Sequence, residues 1–176
     1  MQTAVVPVHF ELLPTACGHV IAVATLDAER SLNALTLAMV DALLPQLESW
    51  AKDDRVVAVL LRGRGDRAFC AGGDVRALTQ HARTGEGDAG YPAHFFAREY
   101  RLDYAIREFP KPLLVWATGV VMGGGMGLLL GASFRVVTET TRMAMPEITI
   151  GLYPDVGGSY FLSRLPGRVG LFMGLT

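Results

Sequence analysis

The sequence predicts an α/β fold, and three observations carry the prediction. Short runs of β-branched and aliphatic residues, Val20–Leu26, Val56–Leu61 and Leu113–Thr118, have the length and composition of strands. The segments between them repeat apolar residues at three- and four-residue steps, the helical period. Hydrophobic residues make up 51% of the 176 residues and charged ones 19%, enough apolar surface to cover a sheet with helices and bury a core within one domain or part of one.

Taken in order, Val20-Ile21-Ala22-Val23-Ala24-Thr25-Leu26 reads as a strand ending at the polar connector Asp27 to Ser31. Leu37, Val40, Leu43, Leu44, Leu47 and Trp50 share one face of a helix that Thr36 can N-cap, with Pro45 expected to kink or divide it. Val56 to Leu61 is apolar without alternation, the pattern of a strand covered on both faces of a parallel sheet. Gln80 to Gly90 is polar and glycine-rich and reads as a surface loop. A helix is expected over Ala93 to Phe109, with Phe96, Tyr100, Tyr104 and Ile106 spaced along it and Glu99 on a semi-buried face. Phe134 to Thr138 supplies a further strand of the same layer. No internal repeat or low-complexity tract interrupts the strand and helix alternation.

Several function classes are disfavoured. The formal net charge of −1 gives no basic face for a nucleic-acid backbone, and Arg62, Arg64 and Arg67 form only a small interrupted cluster suited to a compact polyanion. Cys17 and Cys70 lie far apart with no ligand spacing, so neither a disulfide framework nor a metal site is indicated, and a reducing cytoplasm is expected. The N-terminus lacks the basic and apolar pattern of a secretory signal. The uncharged stretch from Pro112 to Phe134 has the length of a membrane span and Gly-xxx-Gly spacing at Gly123/Gly127 and Gly127/Gly131. Three consecutive glycines, each costing about 1 kcal/mol in a helix interior relative to alanine, favour a strand-to-helix turn there instead. Gly63-x-Gly65-x-x-Ala68 matches a dinucleotide fingerprint, but Phe69 to Gly73 does not open a helix. Ser159 lies outside a nucleophile elbow, and Cys70 reads as a small buried residue.

Two glycine clusters remain, Ala71-Gly72-Gly73-Asp74 and Gly123-Gly124-Gly125, each after a strand and before a helix start. Glycine lets the backbone approach a ligand, and the free N–H groups of a helix start favour developing negative charge. Two such bends side by side make an oxyanion hole; taken singly, they are tight turns. Glu147 after Pro146 and Asp155 after Pro154 add carboxyls in an apolar stretch that includes Met143, Met145, Ile148, Ile150 and Leu152. Desolvation there raises a carboxyl into the range useful for proton transfer.

Asp66-Arg67-Ala68-Phe69-Cys70-Ala71-Gly72-Gly73-Asp74-Val75, Met122-Gly123-Gly124-Gly125, and Met145-Pro146-Glu147 through Gly151-Leu152-Tyr153-Pro154-Asp155-Val156-Gly157-Gly158 resemble the crotonase (enoyl-CoA hydratase/isomerase) superfamily. Ser31-Leu32-Asn33-Ala34-Leu35 resembles its segment bordering the coenzyme A site. The likeness is closest to the branch that hydrolyses short-chain 3-hydroxyacyl-CoA thioesters, whose Pro-Asp-Val-Gly-Gly segment looks nearly the same.

The resemblance implies a ClpP/crotonase spiral of ββα units. It implies that 1–176 is the N-terminal part of a longer core domain, shortened before a C-terminal helical region. The thioester carbonyl would be held by the N–H groups of Gly73 and Gly124, with Glu147 and Asp155 acting on water or on the thioester. Glu99 would meet a substrate hydroxyl, and Glu99, Gly124, Glu147, Asp155 and Ala71 to Asp74 (Ala71, Gly72, Gly73, Asp74) would line the substrate site. Hydratases of the superfamily carry a second glutamate where this chain has Gly127, so hydration is expected to be weak or absent. Direct attack by Glu147 and activation of water both remain open. Arg30 or the Arg62/Arg64/Arg67 cluster would meet coenzyme phosphates. No separate cofactor is expected, coenzyme A entering as part of the substrate. The expected partners are the acyl-CoA and further copies of the chain through an uncovered apolar face, and neither nucleic acid nor membrane. Valine catabolism is the pathway the likeness suggests.

Overall fold

The computed structural model describes residues 7–84 and 90–175. Five strands form the larger sheet in the order β1-β2-β3-β5-β7: β1 (Val8–Pro14), β2 (Val20–Leu26), β3 (Val56–Gly63), β5 (Leu113–Ala117) and β7 (Phe134–Val137). β1 is antiparallel to β2, and every later pairing is parallel. A smaller parallel sheet stacks β4 (Ala68–Cys70), β6 (Val120–Met122) and β8 (Arg142–Ala144) in that order. The pairs β3/β4, β5/β6 and β7/β8 each send their first strand to the large sheet and their second to the small one. Three turns of a spiral result, as the resemblance implies.

The helices fill the spaces the strands dictate. α1 (Leu37–Lys52) buries Met39, Val40, Leu43, Leu44, Leu47 and Trp50, the face its apolar spacing predicts, and Thr36 Oγ1 accepts the Met39 N–H at 3.2 Å as the N-cap. Each such side chain contributes about 1.5–3 kcal/mol on burial. Pro45 neither divides nor ends this helix. It stands on the exposed face, where water can satisfy the carbonyl that its missing N–H releases. α2 (Val75–Thr84) carries the helix into the stretch expected as a loop from Gln80; of that stretch, residues 85–89 lie outside the described residues. α3 (Tyr91–Arg107) begins and ends two residues earlier than expected, because Pro92 is tolerated in a first turn. α4 (Gly124–Gly131) follows the glycine triplet and is buried almost throughout; α5 (Gly158–Leu162) and α6 (Val169–Leu175) follow β8. No helix among the described residues is long and apolar enough to cross a membrane.

β1, β4, β6 and β8 are absent from the expected elements. The three strands of the small sheet are only three residues long, too short to show a period. The bends at their ends depend on Asn33. Its side chain is buried, with a backbone φ of +54°. Nδ2 donates to Arg64 O at 3.1 Å and Ala68 O at 2.8 Å, and Oδ1 accepts from Ala28 N at 3.0 Å. Asn33→Ala leaves Ala68 O unsatisfied in the interior, the other two bonds being part-buried, and is expected to cost about 1–3 kcal/mol for that one buried group. Urea denaturation checks this, and a loss below about 1 kcal/mol would show that water replaces the amide.

Candidate active site

The site forms where the two glycine bends meet. β4 ends at Cys70 and the chain turns through Ala71, Gly72 and Gly73 to α2, while Leu35 N donates to Gly72 O and Asp74 N to Leu35 O. β6 ends at Met122, and Gly123, at φ +49° and ψ −123°, turns the chain into α4. Only glycine adopts that backbone at low cost. The bends are adjacent: a Cβ on Gly72 would sit 3.5 Å from Gly124 N. The N–H groups of Gly73 and Gly124 donate no hydrogen bond among the described residues, so both are available to a ligand.

α3 packs beneath both bends. A Cβ on Gly73 would lie 3.2 Å from Phe95 Cε1 and 3.8 Å from Glu99 Oε1, and one on Gly124 would collide with Glu99 Oε1. Glu99 is 2% exposed, and Oε1 has no hydrogen-bond partner. Burial first, then the charges of Asp155 and Glu147, push its carboxyl up to about 8. Glu147 is 6% exposed with both oxygens unpartnered, because the 3-10 turn Pro146–Ile150 directs it inward. Its carboxyl is also raised, by burial and then by Asp155. The apolar residues that were expected to enclose it behave differently: Met145 is buried, but Met143, Ile148, Ile150 and Leu152 are exposed. Asp155 is half-buried, and Tyr100 Oη donates to its Oδ2 at 2.6 Å. Burial and that acceptor raise the Tyr100 phenol, which keeps it a donor.

A cavity of about 90 Å³ gathers Ala71, Gly72, Gly73, Glu99, Gly124, Glu147 and Asp155, so all but one of the expected site residues come together. Asp74 stands apart. Its Oδ1 caps α2 through Arg76 N at 3.1 Å and Ala77 N at 3.3 Å, and it borders a second cavity of about 570 Å³ with Arg30, Arg67 and Arg76. Gly73 lines both. The expected arginine cluster is split. Arg62 donates to Thr25 and Glu11, Arg64 pairs with Asp27 at 3.2 Å, and Arg67 turns to the second cavity. Arg30, Arg67 and Arg76 form no ion pair among the described residues. Cys70 is fully buried, and desolvation pushes its thiol up to about 12, so it is no nucleophile.

Three features escape a reading by composition. Asp103 lies one turn beyond Glu99 on α3, both oxygens shielded and unpartnered, and burial raises it well above the carboxylate range. Its i,i+4 spacing from Glu99 is a usable signal, since two acids on a core-facing helix stripe are costly. Tyr100 has only helical spacing to recommend it. Val156, buried at φ +40°, has no sequence signal, since β-branched residues avoid that region.

The spiral fold with paired glycine bends over one cavity defines a crotonase-fold protein. The chain belongs to the enoyl-CoA hydratase/isomerase family, whose model matches residues 21–176. Among curated relatives it is 46% identical over 165 residues to the mitochondrial 3-hydroxyisobutyryl-CoA hydrolase of Xenopus tropicalis, covering 94% of this chain and 41% of the relative. It is 44% identical over 154 residues to that of Homo sapiens, covering 88% and 39%. Among solved structures, an enoyl-CoA hydratase from Rhodobacter sphaeroides superposes with a TM-score of 0.84 at 42% identity, covering 95% of this chain and 48% of that one. A carnitinyl-CoA dehydratase from Mycobacterium thermoresistibile gives 0.85 at 42% identity, covering 94% and 47%. The chain thus spans about two fifths of the length of the curated relatives it matches. The expectation of a cytoplasmic location is corrected by these relatives, which are named as mitochondrial; a paucity of cysteines reports a reducing setting and does not separate the two compartments.

Two outcomes follow from the packing. Glu99 keeps its proton in the folded chain up to about 8 but loses it near the ordinary 4.5 once unfolded. The folded state therefore holds the extra proton between these values, and stability falls as pH rises through them. Glu99→Gln is expected to flatten that decline in urea denaturation series, with Asp103 and Glu147 supplying the residual slope; an unchanged slope would place the dependence elsewhere. A Cβ at position 127 would sit 2.7 Å from Val156 Cβ and 2.8 Å from Asp103 Oδ1. Gly127→Ala is therefore expected to destabilise by about 1–3 kcal/mol, read as a lowered Tm.

Proposed function

We propose that this chain carries the reacting-carbonyl site of an acyl-CoA thioester hydrolase, acting on a short-chain 3-hydroxyacyl-CoA of the 3-hydroxyisobutyryl type. The observation that supports this most is the pair of unengaged N–H groups at Gly73 and Gly124, residues that line one cavity with Glu147, Asp155 and Glu99, while the position of Gly127 bears no carboxyl. The two amides hold the thioester oxygen and stabilise its negative charge as the carbonyl carbon becomes tetrahedral, about 3–4 kcal/mol per donor in comparable sites. Glu147 brings oxygen to that carbon, directly or by taking a proton from water. The carbon–sulfur bond then breaks and coenzyme A leaves as the thiolate, which takes up a proton; on the direct route water then cleaves the mixed anhydride left on Glu147, freeing the acid and restoring the carboxylate. Asp155 shares the proton traffic, and protonated Glu99 offers a hydrogen bond to the 3-hydroxyl.

The second cavity fits the coenzyme. It meets the first at Gly73 and presents Arg30, Arg67 and Arg76 without competing carboxylate pairs among the described residues, which suits phosphate groups. Asp74, through its cap on α2, shapes the passage between the two. The names of the curated relatives support the hydrolase reading, and those of the structural neighbours support a hydratase or dehydratase as its rival.

Incubation with 3-hydroxyisobutyryl-CoA and a thiol reagent is expected to release free coenzyme A, and Glu147→Gln to lower the rate at least about 100-fold. Loss of conjugated enoyl absorbance without thiol release would favour the hydratase. Coenzyme A binding without turnover, unchanged by Glu147→Gln, would make the chain a binding module. In a single turnover in ¹⁸O-labelled water, label in the Glu147 carboxyl establishes direct attack, since activation of water leaves that carboxyl unlabelled.

A further inference from the structure

Asp155 sits on a segment with little to hold it. Between Gly151, at φ +77°, and Gly157, at φ +81°, the chain forms no regular element, and Val156 departs from ordinary β-branched geometry. The backbone is tied at Gly158 N to Asp155 O, which leaves the side chain free to rotate. Its surroundings are mostly acidic or phenolic. Glu99 and Asp103 face it from α3, Glu147 from the 3-10 turn after β8, and Tyr153 lies on its own segment; all three carboxyls are raised in part by the charge of Asp155. Arg107, which lines the adjoining cavity of about 540 Å³, directs its guanidinium to Tyr160 at 3.5 Å. Whichever of these acids is ionised repels Asp155 and favours turning its side chain away.

A single side-chain hydrogen bond opposes this among the described residues, the one from Tyr100 Oη at 2.6 Å. The Tyr100 ring is in turn fixed from below. It packs on Phe96 one turn earlier with centroids 5.9 Å apart, and Phe96 meets Phe95 edge-on at 5.7 Å. Phe95 is the ring under Gly73. One face of α3 thus carries contacts to both parts of the machinery, Phe95 and Glu99 beneath the amides and Tyr100 on the acid.

We propose that Tyr100 is a positioning residue of this site, holding Asp155 in one rotamer where the small cavity meets the adjoining one that Tyr100 also lines, and setting its distance from the carbonyl that the Gly73 and Gly124 amides bind. Tyr100 does not touch the reacting atoms; it acts through Asp155. This rests on the reading of Asp155 as an acid that handles protons in the thioester reaction. Part of the hydrogen bond is open to solvent, so its effect lies in geometry more than in binding energy.

Tyr100→Phe removes one oxygen and leaves the ring stack. In the full chain it is expected to lower kcat about tenfold to hundredfold with KM changed less than about twofold, and with Tm preserved. Asp155→Asn and the double variant Tyr100→Phe/Asp155→Asn are expected to agree within about threefold, because the hydroxyl acts only through the carboxylate. An unchanged kcat, or a double variant that loses the product of both effects, would overturn the proposal. NMR side-chain couplings of Asp155 decide the matter without turnover: one rotamer in the wild type and averaged couplings in Tyr100→Phe are expected, and averaging already in the wild type overturns it. If the wild type releases no thiol while these couplings behave as expected, the hydrolase reading fails and the positioning stands.

Discussion

The contact between the Glu99 carboxyl and the backbone of Gly124 is the constraint on which the site depends. No side-chain atom fits between them, so a helix bearing an uncompensated acid is pressed against a bend that has no Cβ. That contact sets the depth of α3 in the core. At this depth Phe95 lies under Gly73, Tyr100 reaches Asp155 and Asp103 lies beside Gly127. It also removes Glu99 from water, and its proton is thereby retained into the range where thioester chemistry runs. The cost falls on stability, since buried acids without partners oppose folding as they ionise. The buried face of the large sheet and the apolar face of α1 supply the offset.

The larger elements were legible because periodicity is a long-range signal. Leu37 to Trp50 repeats its apolar residues over four turns, and Val56 to Leu61 has no polar interruption, so α1 and β3 follow from the sequence; the expected cover on both faces of β3 does not, since Val56, Val59 and Leu61 are buried while Val57 is exposed. The three strands of the small sheet were hidden, since three residues such as Ala68-Phe69-Cys70 show neither alternation nor helical repeat. Pro45 misled in the other direction: a breaker matters by the face on which it falls, and that face is fixed only by packing.

The site was legible to a similar degree. Glycine bends and post-proline carboxyls have composition signatures, and Ala71, Gly72, Gly73, Glu99, Gly124, Glu147 and Asp155 do meet in one cavity. Asp74 shares the bend but turns to cap α2, a difference of one side-chain direction that no spacing encodes. The arginines illustrate the same limit. Arg62, Arg64 and Arg67 alternate along the chain, yet two are claimed by carboxylates of the first hairpin while the third joins Arg30 and Arg76. The contacts of Tyr100, Asp103 and Val156 were hidden for a related reason, although the spacing of Asp103 from Glu99 is a local signal: their partners lie about 25 to 55 positions away.

The spiral itself has a kinetic corollary. Its two sheets grow by parallel pairing of strands brought together across long intervening segments, so loop-closure entropy is met before the contacts reward it, and such topologies collapse slowly. Gly73 belongs to the first winding, Gly124 to the second and Glu147 to the third. No two windings alone contain all three groups. A nascent chain emerging from the ribosome therefore encloses the small cavity only once the last winding is laid down, whereas the residues of the larger arginine-lined cavity have all emerged by Arg76.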